Sequence, residues 1–159
     1  MCSLSCFSQM DYVDKINQYD DNNRKHGYWI EYDDDDEKIE LYYMHGKKDG
    51  IFKRYSRGGV LYRVGQYKND ELSGTTYYFG DKGHLLMIQK DFARNEIVPI
   101  INSKFPYKCY TISFHPNGIK KSEGLDLWYD DPEYGEVYEY GKWLFYDESG
   151  KLIKTKTYK

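Results

Sequence analysis

The sequence predicts an all-β fold, an elongated antiparallel meander of stacked β-hairpins with about five repeats. Three observations carry this. A block of residues recurs at a shift of 24, as between Gly59 and Gly83. Aromatic residues make up 18% of the chain, with 19 tyrosines, and Tyr is a strand former with an apolar body and a polar tip. Short polar turns ending in glycine separate runs of strand length and strand composition.

The repeat is clearest where two stretches are aligned. Tyr43, Gly50, Tyr55, Gly59 and Leu61 of the first correspond to Tyr67, Gly74, Phe79, Gly83 and Leu85 of the second. An earlier copy opens at Gly27 and carries Asp33 to Asp36 in its turn. A later copy has Cys109 in place of the first glycine and turns at Gly118, and the last runs from Gly141 to Gly150. The turn glycines Gly59, Gly83, Gly118 and Gly150 suit hairpin turns that need positive φ, and Gly50, Gly74 and Gly141 open the repeats. An aromatic stands five residues after each opening position: Tyr32, Tyr55, Phe79, Phe114 and Tyr146. No hairpin of this size is stable alone, so neighbours must stack, and these aromatics are expected to form one ladder along a buried face. Trp29, Phe52 and Trp143 stand two residues after the opening position, with Thr76 and Thr111 at the equivalent places, and are expected in the core.

Two domain-level segments follow. Residues 1–25 are an N-terminal segment, and residues 26–159 form the repeat domain, with insertions near 89–108 and 129–136. The first insertion holds the most apolar stretch, Ile97 to Ile101, which is expected to pack against the sheet or cover an edge. Residues 10–25 are polar, with weak helical character at best and a composition suited to disorder. The first nine residues are small and apolar. They read either as the tail of a secretory signal, which implies export to the periplasm or envelope, or as an ordinary terminus, which implies the cytoplasm.

The charges exclude several functions. There are 23 basic and 26 acidic residues, a net charge of −3, scattered without a basic stripe. Nucleic acid therefore has no electrostatic footprint, and anionic lipid gains little attraction. Cys2, Cys6 and Cys109 show no zinc spacing and no disulfide framework, and Cys109 reads as a small buried hydrophobe. No two of His26, His45, His84 and His115 pair at helical ligand spacing, and all lie at or beside turns, which suits half-exposed rings; no metal site is assigned, and a zinc site assembled from neighbouring turns is the minor alternative. The run Asp33 to Glu37 lacks the glycine and the spacing of a calcium loop and reads as a solvated turn. Cys109 and His115 do not form a nucleophile and base on one strand face. The glycines follow the repeat and make no phosphate loop, so no cofactor and no enzymatic activity are expected.

The repeats resemble the bacterial MORN-repeat-variant family, whose pattern is loosely Tyr-x-x-Gly-x-x-x-Gly-x-Trp-x-x-Tyr followed by a turn ending Asn-Gly-Lys-Leu. Tyr43, Gly46, Gly50, Phe52, Tyr55 and Gly59 follow it, as do Gly141, Trp143, Tyr146, Gly150, Lys151 and Leu152. The resemblance covers about residues 26–159. It implies a non-enzymatic binding or scaffold module, in bacteria often labelled the antitoxin that neutralises a toxin by binding it. It supplies no catalytic residues. The alternative is an exported or envelope-associated structural repeat protein that contacts lipid. The tyrosines exceed what one buried ladder uses, and Tyr28, Tyr62, Tyr77 and Tyr78 are the candidates for an aromatic binding face.

Overall fold

The computed structural model describes residues 15–96, 105–129 and 136–159. In chain order its strands are β1 (Gln18–Tyr19), β2 (Lys25–Tyr32), β3 (Lys38–Met44), β4 (Lys47–Lys48), β5 (Gly50–Tyr55), β6 (Leu61–Lys68), β7 (Glu71–Phe79), β8 (Leu85–Arg94), β9 (Tyr107–Phe114), β10 (Lys120–Trp128), β11 (Val137–Tyr146) and β12 (Leu152–Tyr158). All pair antiparallel in one open sheet, in chain order, with β4 and β5 both paired to β3. The described residues contain no helix, and hence none long and apolar enough to cross a membrane. The all-β meander read from the repeat is the architecture found.

Two kinds of turn build it. On one side of the sheet, six turns share a hydrogen-bond pattern in which the first residue accepts from the fourth and donates to the fifth. They begin at Asp20, Asp33, Ser56, Gly80, His115 and Asp147. The fourth residue takes positive φ each time: Asn23, Asp36, Gly59, Gly83, Gly118 and Gly150. This is a tight turn closed by a bulge residue in the left-handed region. Asp33 to Asp36 is thus a turn of the same family, with Asp36 (φ 59°) where later copies have glycine. Aspartate tolerates that region better than most residues, and the Asp33 carboxylate accepts the amides of Asp35 and Glu37. On the other side, two-residue turns carry positive φ at both positions, His45 with Gly46 and Asn69 with Asp70.

One face of the sheet is the core. Trp29, Leu41, Tyr43, Phe52, Tyr67, Leu72, Phe92, Cys109 and Trp128 cluster there, and Trp143 is buried at 5% exposure. The described residues form a single sheet with no second layer, so these side chains lie across neighbouring strands. The register runs Phe52 to Gly65, Thr76 to Gln89, Gln89 to Thr111 and Thr111 to Gly124. A Cβ on Gly65 would stand 2.7 Å from Phe52 Cε1, and one on Gly124 would stand 2.3 Å from Trp143 Cδ2. The two rings therefore lie flat on glycine backbone, a device that shields strand glycines and dries the sheet surface at once.

Three expectations need correction. The aromatics at the fifth position do not form a buried ladder: Tyr32 is 67% exposed, and Tyr55, Phe79, Phe114 and Tyr146 are half-buried. The buried column is the one at the second position, Trp29, Phe52, Thr76, Thr111 and Trp143. The second and fifth positions are three residues apart on one strand, so alternation puts them on opposite faces, and both cannot lie in the core. The first insertion is also shorter than read, since residues 89–94 extend β8 and 107–108 begin β9. Finally, residues 18–25 are ordered as strand, turn and strand rather than helix or disorder. The apolar stretch at 97–101, residues 1–14 and most of the second insertion lie outside the described residues.

Candidate interaction surface

The opposite face is set by the same register. Paired residues run across the sheet as Ile30, Glu40, Lys53, Val64, Tyr77, Ile88, Ile112, Glu123 and Leu144. Directly opposed strand residues share a face, so this row marks one surface from β2 to β11. Around it, by strand alternation, stand Tyr28, Tyr42, Ile51, Leu86 and Tyr110. Tyr42, Ile51, Tyr77, Leu86 and Tyr110 are all exposed. The surface is aromatic and aliphatic, and none of the described residues forms a second layer over it.

Near each end sits a carboxylate held by tyrosines. The Glu40 carboxylate accepts from Tyr55 Oη at 3.1 Å, from Lys38 Nζ at 2.8 Å and from Lys53 Nζ at 3.4 Å. Tyr28 bonds the same group. Burial alone would raise the Glu40 pKa, but these donors win and hold it below its ordinary value. Burial and the Glu40 bond push the Tyr28 hydroxyl up to about 12. Far along the sheet, Glu123 accepts from Tyr146 Oη at 2.6 Å and from Lys120 Nζ at 2.9 Å, with Tyr110 as a further partner. Its pKa is lowered in the same way, the donors outweighing burial. A depression of about 240 Å³ lies over the first cluster, lined by Tyr28, Glu40, Tyr42, Ile51 and Lys53.

The two clusters are repeat-equivalent. Tyr28 and Tyr110 each follow an opening position by one residue, and Tyr55 and Tyr146 by five. The residue diagonal to the fifth-position aromatic changes with it. Tyr55 and Tyr146 stand diagonal to Glu40 and Glu123, whereas Phe79 and Phe114 stand diagonal to Val64 and Ile88. A hydroxyl meets a carboxylate, and a bare ring meets an aliphatic side chain. Both arrangements avoid a half-buried polar group without a partner. Tyr55→Phe and Glu40→Val should each destabilise the fold by about 1 kcal/mol, and the double variant should cost clearly less than their sum. A double-mutant cycle by urea unfolding measures this, and strict additivity would refute the pairing.

The four candidate tyrosines do not share a face. Tyr28 and Tyr77 lie on the exposed surface. Tyr78 is the next residue after Tyr77, so its side chain faces the core, opposite Arg63. There its hydroxyl donates to Gln89 Oε1 at 2.8 Å, and the Arg63 guanidinium lies 5.2 Å from its ring. Tyr62 occupies the bulge after the Ser56 turn and donates to Glu37 Oε2 at 2.5 Å. Four exposed aromatic or aliphatic members, Tyr42, Ile51, Leu86 and Tyr110, are not singled out by the sequence reading, although Tyr110 has the same place in its repeat as Tyr28.

Chemistry-bearing groups are held inert or scattered. Cys109 is 1% exposed, the Trp128 indole N–H donates to its Sγ at 3.3 Å, and burial pushes its thiol up to about 11. That is the reverse of an activated nucleophile. His115 bonds the Tyr146 carbonyl at 2.9 Å, and His84 packs where a Cβ on Gly80 would stand. His26 and His45 do converge, with Asp20, at one end of the sheet.

Two stretches of the chain, residues 48–69 and 135–159, match the MORN repeat variant family. MORN repeats are generally modules that bind proteins or membranes rather than catalysts. The two MORN matches hold Phe52 with Tyr55 and Trp143 with Tyr146, copies with a ring at the second position and tyrosine at the fifth. The intervening copies, with Thr76 and Phe79 or Thr111 and Phe114, lie outside the matched stretches. No curated protein matches the chain.

Proposed function

We propose that this chain is a non-enzymatic protein-binding module whose contact surface is the exposed face running from Tyr28 to Tyr110. The observation that carries this is the row Val64, Tyr77, Ile88 and Ile112 between the Glu40 and Glu123 clusters. Among the described residues it is an apolar strip, exposed at Tyr77, half-buried at Val64 and Ile88 and 9% exposed at Ile112, with a structured polar group at either end. Tyrosines in strands give large contact area at small entropic cost, and apolar centres with polar rims are the anatomy of protein interfaces. The matched repeats support a binding role. A toxin neutralised by this contact is the finer form of the reading, in keeping with the resemblance of the repeats to antitoxin-associated proteins.

The test pairs the chain with a triple variant, Tyr42→Ser, Tyr77→Ser and Tyr110→Ser, whose side chains are exposed and whose fold is checked by circular dichroism. Partners captured from the native cell should bind the wild type and lose at least about tenfold in affinity for the variant, as hot-spot aromatics do. Co-expression with the product of a neighbouring gene tests the toxin form. Equal binding by both proteins overturns the assignment of the face. Sedimentation with anionic vesicles and no protein partner would shift the function to lipid.

A further inference from the structure

We propose that Asp20, His26 and His45 form a binding site for a divalent transition-metal ion of the zinc, cobalt or nickel type. One donor atom from each lies within 4.8 Å of the other two. The sequence separates the three, and three local structures bring them together. Asp20 follows β1 and opens the first hairpin turn, His26 lies in β2 beside Gln18 of β1, and His45 is the first residue of the turn after β3.

The carboxylate is already oriented as a ligand. Asp20 Oδ1 accepts the amides of Asn22 at 2.9 Å and Arg24 at 3.0 Å, which leaves Oδ2 aimed at His45 Nδ1, 2.8 Å away. The two imidazole rings are 4.9 Å apart and tilted by 38°. Two imidazoles with one carboxylate suit borderline divalent ions, whereas magnesium and calcium want oxygen alone. Bonds of about 2.0–2.2 Å place tetrahedral donors ~3.5 Å apart, so the set must close by about an ångström. His26 and His45 are exposed and can supply that by rotation.

A cation completes the cluster already. Arg24 Nη2 is 2.8 Å from Asp20 Oδ2 and 3.1 Å from His45 Nδ1. Its side chain is 45% exposed and can leave for solvent. The guanidinium and the metal ion compete for one place, and loading the ion would tie the short strand β1 to β2 and to the turn after β3.

Calorimetric titration with zinc chloride decides the matter, with wild type, Arg24→Ala, Asp20→Asn and the pair His26→Ala with His45→Ala. Wild type should take up one ion at this site, the histidine pair should lose it, Asp20→Asn should weaken it about tenfold or more, and Arg24→Ala should bind at least about fivefold tighter. Amide exchange of Gln18 and Tyr19 should slow with zinc in wild type and in Arg24→Ala, and not in the histidine pair. Equal uptake by wild type and the histidine pair overturns the site, as does absence of binding by Arg24→Ala at about 100 µM zinc. An Arg24→Ala affinity no tighter than wild type overturns the competition.

Discussion

Gly124→Ala should destabilise the fold by about 3 kcal/mol, the upper part of the range for forcing extra atoms into a packed site. The added Cβ would stand 2.3 to 2.5 Å from three atoms of the Trp143 indole, which must move as a rigid unit. Moving it strains the bond from its Nε1 to the Leu125 carbonyl, 3.1 Å long, and uncovers the backbone beneath. Gly124 has no left-handed φ, so the cost is steric and not conformational. The diagnostic is therefore the background. In a Trp143→Ala protein the ring is gone, and Gly124→Ala should cost nothing or stabilise slightly, since alanine loses less backbone entropy than glycine in a strand. Urea unfolding followed by far-ultraviolet circular dichroism gives all four corners of the cycle. Gly58→Ala is the control: it is not left-handed, its added Cβ would meet only Ser56 Oγ at 3.8 Å, and it should be near neutral. An equal cost for Gly124→Ala with and without Trp143 would show that the ring does not define the site.

Gly124 also shows what the sequence made legible. The turn glycines stood out because each closes a polar turn, and the structure finds the same turn even where Asn23 or Asp36 replaces glycine. Gly65 and Gly124 were passed over because they follow no turn. Yet each lies six residues after a turn glycine, Gly59 and Gly118, and that shared offset was the available signal. Faces were harder to read. Spacing from the opening glycine put Tyr55 and its equivalents in the core and grouped Tyr77 with Tyr78, but strand alternation and turn bulges decide orientation, and neither is visible in a count from one glycine. That turns can gather histidines is legible in the sequence, but the convergence of Asp20, His26 and His45 is not, because it depends on which turns sit side by side.

The two faces obey one rule in different chemistry. On the core face, the rings of Phe52 and Trp143 each meet glycine across the strand, while Thr76 and Thr111 flank Gln89. On the exposed face, tyrosine stands diagonal to glutamate and phenylalanine to an aliphatic side chain. A repeat in a single sheet is packed only by its neighbours, so a change in one copy is answered in the adjacent copy. The middle copies pair Thr with Phe, while the copies at either side pair an aromatic with Tyr. This places the apolar strip of the exposed face over the part of the sheet where the buried row Thr76, Gln89 and Thr111 makes the core partly polar.

That polar core holds the second large effect. Asp126 is 4% exposed, its Oδ2 accepts from Thr111 Oγ1 at 2.5 Å, and its Oδ1 has no hydrogen-bond partner among the described residues. Burial is the main cause that pushes its carboxyl up from 3.8 to about 6, with the Thr111 bond opposing and the Glu139 charge adding to it. The folded state thus holds this proton more tightly than the unfolded chain does. Between pH 4 and 6 folding takes up a proton, so stability from this group is full below pH 4 and falls as pH rises through 6. At pH 7 the buried charge costs on the order of 3 kcal/mol relative to pH 4. Carboxylates with lowered pKa, among them Glu40 and Glu123, act in the opposite sense, so the total profile does not isolate Asp126. The difference between wild type and Asp126→Asn does. Asparagine keeps an acceptor for Thr111 and cannot ionise, although its amide leaves a buried donor in place of Oδ1. Relative to wild type, Asp126→Asn should gain about 3 kcal/mol as pH rises from 4 to 7, whatever its offset at pH 4. Unfolding free energies of the two proteins at half-unit intervals read this directly. A difference that stays flat across the range would mean that Asp126 ionises in the folded state as readily as in the unfolded chain, and that water or another group satisfies it.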